Sequence, residues 1–376
     1  MNNKTKLIAF YFPQFHSFHE NDIWWGKGFS DWELVKKARP LFKGHAQPNI
    51  PLERDYYDPC EKDTLKKQIA LAKKYAVSGF MIYHYWFDGK LLLEKPLECL
   101  LKNKDLEMPF CICWANETWT RAWIGKPTEI LIEQTHRPDK ELWIKHFNYL
   151  LPFFKDDRYI KIEGRPVFVI YQPQLLKETE HLFNLWDKMA KENGLNGLYL
   201  IANKNHKYGK VPSFLANYDG LLKFQPREVH TTSYNQKNFV DRLQFLRFIS
   251  EKWMGYLRRI KYKLYDYQIV DSAKIWECLL NNAYKNEYPK YNLDIYESAY
   301  FRWDNTPRYG KKAKIFTELK KEEKVKYLSR LKEKAILAGS PYVFFNAWNE
   351  WSEGAYLEPD ERIGYENLEV IKKVFY

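Results

Sequence analysis

Long apolar runs, glycine-rich phosphate loops and paired cysteines are all missing from this chain of 376 residues. No stretch reaches about 18 apolar residues, so no helix is expected to span a bilayer. The N-terminal MNNKTKLIAFYF holds too short an apolar stretch for a secretory leader, and no small-residue cleavage site follows it. No GxGxxG and no P-loop occur, which argues against a nucleotide-binding, doubly wound sheet. No Asp-x-Asp pair occurs either, so the metal site usual in nucleotide-sugar transferases has no candidate. Cysteine is scarce: Cys60, Cys99, Cys111, Cys113 and Cys278 are odd in number and irregular in spacing. No CxxC or Cys/His set has zinc-site spacing, so they read as reduced, buried thiols. No metal and no cofactor are expected, and the expected compartment is the cytoplasm.

Positive charge and aromatic side chains are abundant. Sixty basic residues against 48 acidic ones leave a net charge of +12. That balance favours acidic partners, such as anionic glycans, nucleic acid or a membrane surface, without choosing among them. No Lys/Arg run has the look of a recognition motif, so a solvated basic face is the plainer reading and nucleic acid is not expected. Trp, Tyr and Phe make up 18% of the chain, and many of them stand beside polar residues where apolar runs end.

Those runs organise the sequence. Eight are strand candidates: 7–12, 79–85, 109–115, 166–171, 197–202, 218–224, 298–303 and 342–347. Helical stretches are expected at 63–75, 91–103, 140–154, 178–192 and 321–338; in the first of these the spacing of Leu65, Ile69 and Ala72 gives one buried stripe. Strand and helix in alternation describe an α/β chain folded as a single (β/α)8 barrel over 1–376. A helical insert, basic and aromatic, is expected within it at 225–292, between strands six and seven. Its segment 243–267 either rests on an anionic membrane surface, as peripheral contact only, or is a solvated excursion over one barrel edge, which is preferred.

Polar and aromatic clusters follow the C-terminal ends of the strands, the face that carries catalysis in such barrels. The richest is Asn346-Ala347-Trp348-Asn349-Glu350-Trp351-Ser352-Glu353-Gly354 after the eighth run. Paired carboxylates are what glycosidic-bond chemistry requires, and Trp is the usual stacking surface for a sugar ring. Glu350 and Glu353 are three apart and share one side of a turn, so they are the candidate catalytic pair; the bland alternative is an exposed Trp/Glu loop. Glu117, after Asn116 at the end of the third run, is a rival acid, or else a carboxylate that pairs with Arg121 or binds a hydroxyl. Candidate substrate contacts are His16, His84, Tyr85, Trp86, Trp114, Asn116, Glu117, Trp119, Arg121, Trp303, Asp304, Arg308, Asn346, Trp348 and Trp351. For His84 a hydrogen-bonded structural role is an equal alternative, and Asp304 and Arg308 read equally well as an ion pair holding a loop.

AFYFPQFH (9–16), NDIWWGKGFSDW (21–32), GFMIYHYWFDGK (79–90), PFCICWANETWTR (109–121), ILIEQ (130–134), WDNTPR (303–308) and FNAWNEWSEGAYLEPD (345–360) occur in that order. With them the chain resembles the WbsX-type proteins of bacterial O-antigen and capsule gene clusters, which carry a domain similar to glycoside hydrolase family 99. The resemblance spans nearly the whole chain, with 225–292 covered least. It implies a TIM barrel and an endo-α-mannosidase-like, retaining mechanism. Glu350 would then be the base toward the substrate's own 2-hydroxyl, and Glu353 the general acid and then base. The implied substrate is an oligo- or polysaccharide, with a lipid-linked one among the candidates. A glycosyltransferase using a nucleotide-sugar or lipid-linked donor is the second reading, and a non-catalytic glycan-binding barrel the third.

Overall fold

The structure is a computed structural model that describes residues 5–121, 126–209, 212–234 and 266–376. Eight parallel strands close on themselves: β1 (Lys6–Tyr11), β2 (Val77–Phe87), β3 (Phe110–Trp114), β4 (Arg165–Ile170), β5 (Tyr199–Lys204), β6 (Gly220–Lys223), β7 (Asp294–Ala299) and β8 (Tyr342–Phe345). Each pairs with its neighbour in sequence, and β1 pairs with both β2 and β8, which removes every free edge. The helices packed outside include α1 (Lys62–Lys74), α2 (Lys95–Lys102), α3 (Lys140–Phe154), α4 (Thr179–Glu192), α5 (Ser272–Asn282), α6 (Lys321–Leu337) and α7 (Glu366–Phe375). This is the expected (β/α)8 barrel.

Strands buried on both faces read as continuous apolar runs, which is why seven of the eight are visible in the sequence close to their positions. Inside the barrel, Phe10 touches Phe224 at 5.2 Å, Tyr83 at 6.0 Å and Phe344 at 6.2 Å between ring centroids. Gly220 is required where β6 meets β7, since a Cβ there would lie 2.9 Å from the Tyr296 ring.

Two boundaries differ from the sequence reading. Strand seven is 294–299, not 298–303: the ladder ends at Ala299, while Tyr300, Phe301 and Trp303 stay buried beyond it. Apolar burial outlasts strand pairing there, so the run was read four residues late. The helix expected from Leu91 starts at Lys95, because Lys90–Leu92 first folds back antiparallel on the end of β2. Of the 225–292 insert, the described part holds a short helix Arg227–Val229, a strand Gln268–Val270 paired with Lys314–Phe316, and α5. Most of 243–267 lies outside the described residues. Among the described residues no helix is long and apolar enough to cross a membrane.

Candidate active site

The segment after β8 turns at once into a small hairpin, Asn349–Glu350 against Ala355–Tyr356. Trp351–Glu353 forms its tip, and Gly354 closes it at φ +62°. A Cβ on Gly354 would sit 2.9 Å from both the N and O of Asp304, so only glycine lets the tip approach the loop after β7. The Asp304 amide donates to the Glu353 carbonyl at 2.8 Å. Asp304 itself is fully occupied in holding that loop. It accepts from Gln47 Nε2 at 2.6 Å and from the Thr306 amide at 3.0 Å, and it pairs with His45 at 2.8 Å.

The payload of this loop is Arg308. Its guanidinium donates to Glu353 Oε1 at 2.9 Å, to Asp31 Oδ2 at 3.1 Å, and to Glu350 and Gln14 Oε1 at 3.3 Å. Arg227, just past β6, donates to Glu353 at 2.9 and 3.3 Å and to the Tyr171 hydroxyl at 3.3 Å. Ser352 Oγ donates to Asp31 at 2.9 Å, which joins the hairpin tip to the short helix Asp31–Lys37. Three carboxylates thus share two guanidiniums. Burial is the largest influence on Glu350, and the Glu353 and Asp31 charges add to it; against the pull of Arg308 its carboxyl is pushed up to about 8.

Above this cluster lies a cavity of about 340 Å³ at the C-terminal mouth of the barrel. Its polar wall is Gln14, Asp31, Glu117, Arg227, Arg308 and Glu353, and its apolar wall includes Phe18, Trp25, Tyr85 and Trp119. Glu117 accepts from Gln172 Nε2 at 3.1 Å, and burial raises its carboxyl above the usual range. Tyr85 accepts from Gln14 Nε2 at 2.7 Å and meets Trp119 edge-on at 5.1 Å. Arg121 lies over the Trp25 ring at 4.9 Å, at the rim.

The sequence candidates therefore divide. Tyr85, Glu117, Trp119, Arg308 and Glu353 line the cavity, and Glu350 is buried against Arg308. The others do not reach it. His84 points outward from β2 onto α3, its Nε2 2.9 Å from that of His146, and burial pushes its imidazole down to about 3. Trp86 stacks on the same His146 at 4.6 Å, and Trp114 donates to the Trp86 carbonyl at 3.1 Å. Strand alternation sends these three to the helix side. Asn116 clips the loops after β3 and β4 together, accepting from the Gln172 amide at 2.7 Å and donating to its carbonyl at 3.0 Å. Asn346 donates to the Gln225 carbonyl at 3.1 Å. Trp303 lies outside the cavity lining and carries the Arg227 guanidinium on its ring at 5.3 Å.

Trp348 and Trp351, expected as stacking surfaces, are fully buried. Trp348 packs on Phe80; Trp351 stacks on Tyr356 at 3.8 Å and donates to Glu358 at 2.7 Å. Adjacent residues of a strand point to opposite faces, so Glu350 and Trp351 cannot face the same way. His16 binds the Pro13 carbonyl at 2.8 Å and also stands outside the cavity lining. Asp31 and Arg227 were not among the sequence candidates. Arg227 follows the sixth run by three residues, a position that could have flagged it; Asp31 reads locally as no more than a first-turn acid.

Comparison with known proteins agrees with this architecture. Residues 7–371 match the family model described as "Glycosyltransferase WbsX". The WxcX proteins of two strains of Xanthomonas campestris pv. campestris are each 32% identical over 372 residues, covering 98% of this chain and 49% of theirs. The chain thus spans about half the length of the curated relatives it matches. Among solved structures, the GH99 endo-alpha-mannosidase from Bacteroides thetaiotaomicron has a TM-score of 0.55 at 14% identity, over 99% of this chain and 96% of that one. A glycoside hydrolase-like protein has a TM-score of 0.56, also at 14% identity, over 100% and 94%. The fold is the one these structures share, and the chain belongs to the family described as Glycosyltransferase WbsX.

Proposed function

We propose that this protein acts at a glycosidic bond of a bacterial surface oligo- or polysaccharide, O-antigen or capsule, with retention, through Glu350 and Glu353. A lipid-linked form of that glycan, met in the cytoplasm or at the membrane surface, is part of the same reading. One observation carries it: a single guanidinium, Arg308, binds Glu353 in the floor of a cavity with one aromatic wall and Glu350 buried directly behind it. Sugar rings stack on such a wall, and their hydroxyls need charged partners opposite.

The two glutamates are not equivalent. Burial holds the Glu350 carboxyl well above the usual range, so its protonated form is favoured near neutral pH. As a carboxylate it is a stronger base than a surface glutamate, which suits deprotonation of a sugar hydroxyl near neutral pH. Glu353 reaches the cavity and takes the acid/base role toward the glycosidic oxygen. Both guanidiniums point at its Oε1, so productive binding has to displace one of them. Arg227 is the one to go: its side chain is 38% exposed against 8% for Arg308.

The family description supports a second reading, a glycosyltransferase using a nucleotide-sugar or lipid-linked donor, while transglycosylation by the same Glu pair stays within the first. Product analysis separates the two. Wild type and Glu353→Gln are incubated with the producing strain's polysaccharide and its lipid-linked precursor, with and without nucleotide sugars. Fragments released by wild type alone, with no nucleotide present, support cleavage. Rearranged chains of unequal length support transglycosylation. Extension only when nucleotide sugars are present overturns the Glu-pair mechanism.

A further inference from the structure

Behind the cavity wall, the loop after β1 meets the loop before α1. One ring nitrogen of His16, a carboxylate oxygen of Asp58 and Cys60 Sγ lie within 4.8 Å of one another there. We propose that His16, Asp58 and Cys60 form a binding site for a borderline-soft divalent cation, Zn2+, that pins the loop carrying Gln14 and Phe18 of the cavity wall to the start of α1.

The donor set is one nitrogen, one oxygen and one sulfur, which suits zinc and not the all-oxygen preference of Mg2+ or Ca2+. The histidine is already oriented. It is 4% exposed, and its Nδ1 lies 2.8 Å from the Pro13 carbonyl, which fixes the proton on Nδ1 and leaves Nε2 as the donor nitrogen. A carbonyl on the far ring nitrogen is the usual support of a metal-ligating histidine. Asp58 is tied down too, its Oδ1 accepting from the Cys60 amide at 2.8 Å. Bonds of about 2.0–2.3 Å put tetrahedral ligand atoms about 3.3–3.8 Å apart. The exposed Asp58 and half-buried Cys60 side chains can rotate to close the difference. On binding, the Cys60 thiol gives its proton to solvent and the thiolate takes its place on the ion; water completes the fourth position on the exposed Asp58 side. The Glu350–Glu353 reading routes no step through a metal, so the site is independent of it.

The test uses the whole chain, stripped with chelator and titrated with Zn2+ and with Co2+. The expected result is one ion per chain, a thiolate-to-cobalt charge-transfer band, and a rise of a few degrees in Tm with zinc. Cys60→Ser and His16→Gln are expected to lose the band and to weaken zinc binding at least tenfold. Cys99→Ser, at the next free thiol, is expected to keep both. Circular dichroism establishes that each variant is folded, and Cys60→Ser, at a half-buried position, decides the matter if the buried His16 variant does not fold. A folded wild type that takes up no ion, or a band that survives Cys60→Ser, overturns the proposal.

Discussion

Two largely buried ionic clusters in this barrel have the same balance of charge and different surroundings. The first joins Arg227 and Arg308 to Asp31, Glu350 and Glu353. The second joins Lys204 and Lys223 to Glu228, Glu287 and Glu297, at the ends of β5 to β7. Each sets three carboxylates against two cations, and in each burial raises one carboxyl, Glu350 in the first and Glu297 in the second. The lysine cluster does not line the cavity at the barrel mouth. Its remaining bonds go to protein: Lys223 donates to the Asn282 carbonyl at 2.8 Å, and Glu297 accepts from the Tyr284 amide at 2.9 Å. A shifted carboxyl alone therefore does not mark chemistry. The open cavity over Glu353 is what sets the arginine cluster apart.

Breaking each cluster in turn sharpens that contrast. The largest effect is expected from Glu353→Gln, which should cut kcat by about 10²–10⁴-fold in a protein that still folds. Steady-state kinetics with a thermal melt checks it, and a variant with wild-type turnover would remove Glu353 from the mechanism. Arg308→Ala and Lys204→Met should each destabilise by about 3–5 kcal/mol, since each leaves buried carboxylates unpaired. Denaturant titration measures both. Assayed where both remain folded, only the arginine variant should lose activity, and equal losses would erase the distinction between the clusters.

Acidity gives a subtler contrast. Glu350 titrates higher folded than unfolded, so its contribution is full below about pH 4.3 and is lost as pH rises through about 8. Glu358, buried among Trp351, Tyr57 and Gln68, is pushed up to about 7 and acts in the same direction. The wild-type unfolding free energy from urea titration should therefore fall between pH 5 and 8, by at most about 1.4 kcal/mol per pH unit for each group. Glu350→Gln should flatten that slope, and an unchanged slope would assign it elsewhere. As the base, Glu350 should also make kcat/KM rise with pH toward about 8.

The smallest effects separate the tryptophans. Trp119→Ala, at the cavity wall, should raise KM about tenfold. Trp348→Phe should cost about 1–2 kcal/mol of stability and leave KM alone. A KM effect from Trp348 would return it to the substrate surface.

The barrel was legible because its signal is local. Eight apolar runs buried on both faces, separated by amphipathic helices, admit few arrangements, and the Glu350–Glu353 segment announces itself at the end of the eighth. Strand seven was read late for a physical reason, since Tyr300 to Trp303 are as buried as the strand before them. His84, Trp86 and Trp114 were placed at the site because they stand at strand ends, yet strand alternation turns them onto α3.

By itself the sequence determined the order of elements, the closed parallel barrel and the chemical kind of residue at its mouth. Periodicity and turn chemistry act over a few residues and need no partner. The tertiary structure alone decided which of those residues share the cavity. Arg308 reaches Asp31 across 277 positions of chain, and His16 meets Asp58 and Cys60 only where two separate loops pack together. Side-chain direction and long-range ion pairing depend on how strands register and loops pack, and no local pattern encodes either.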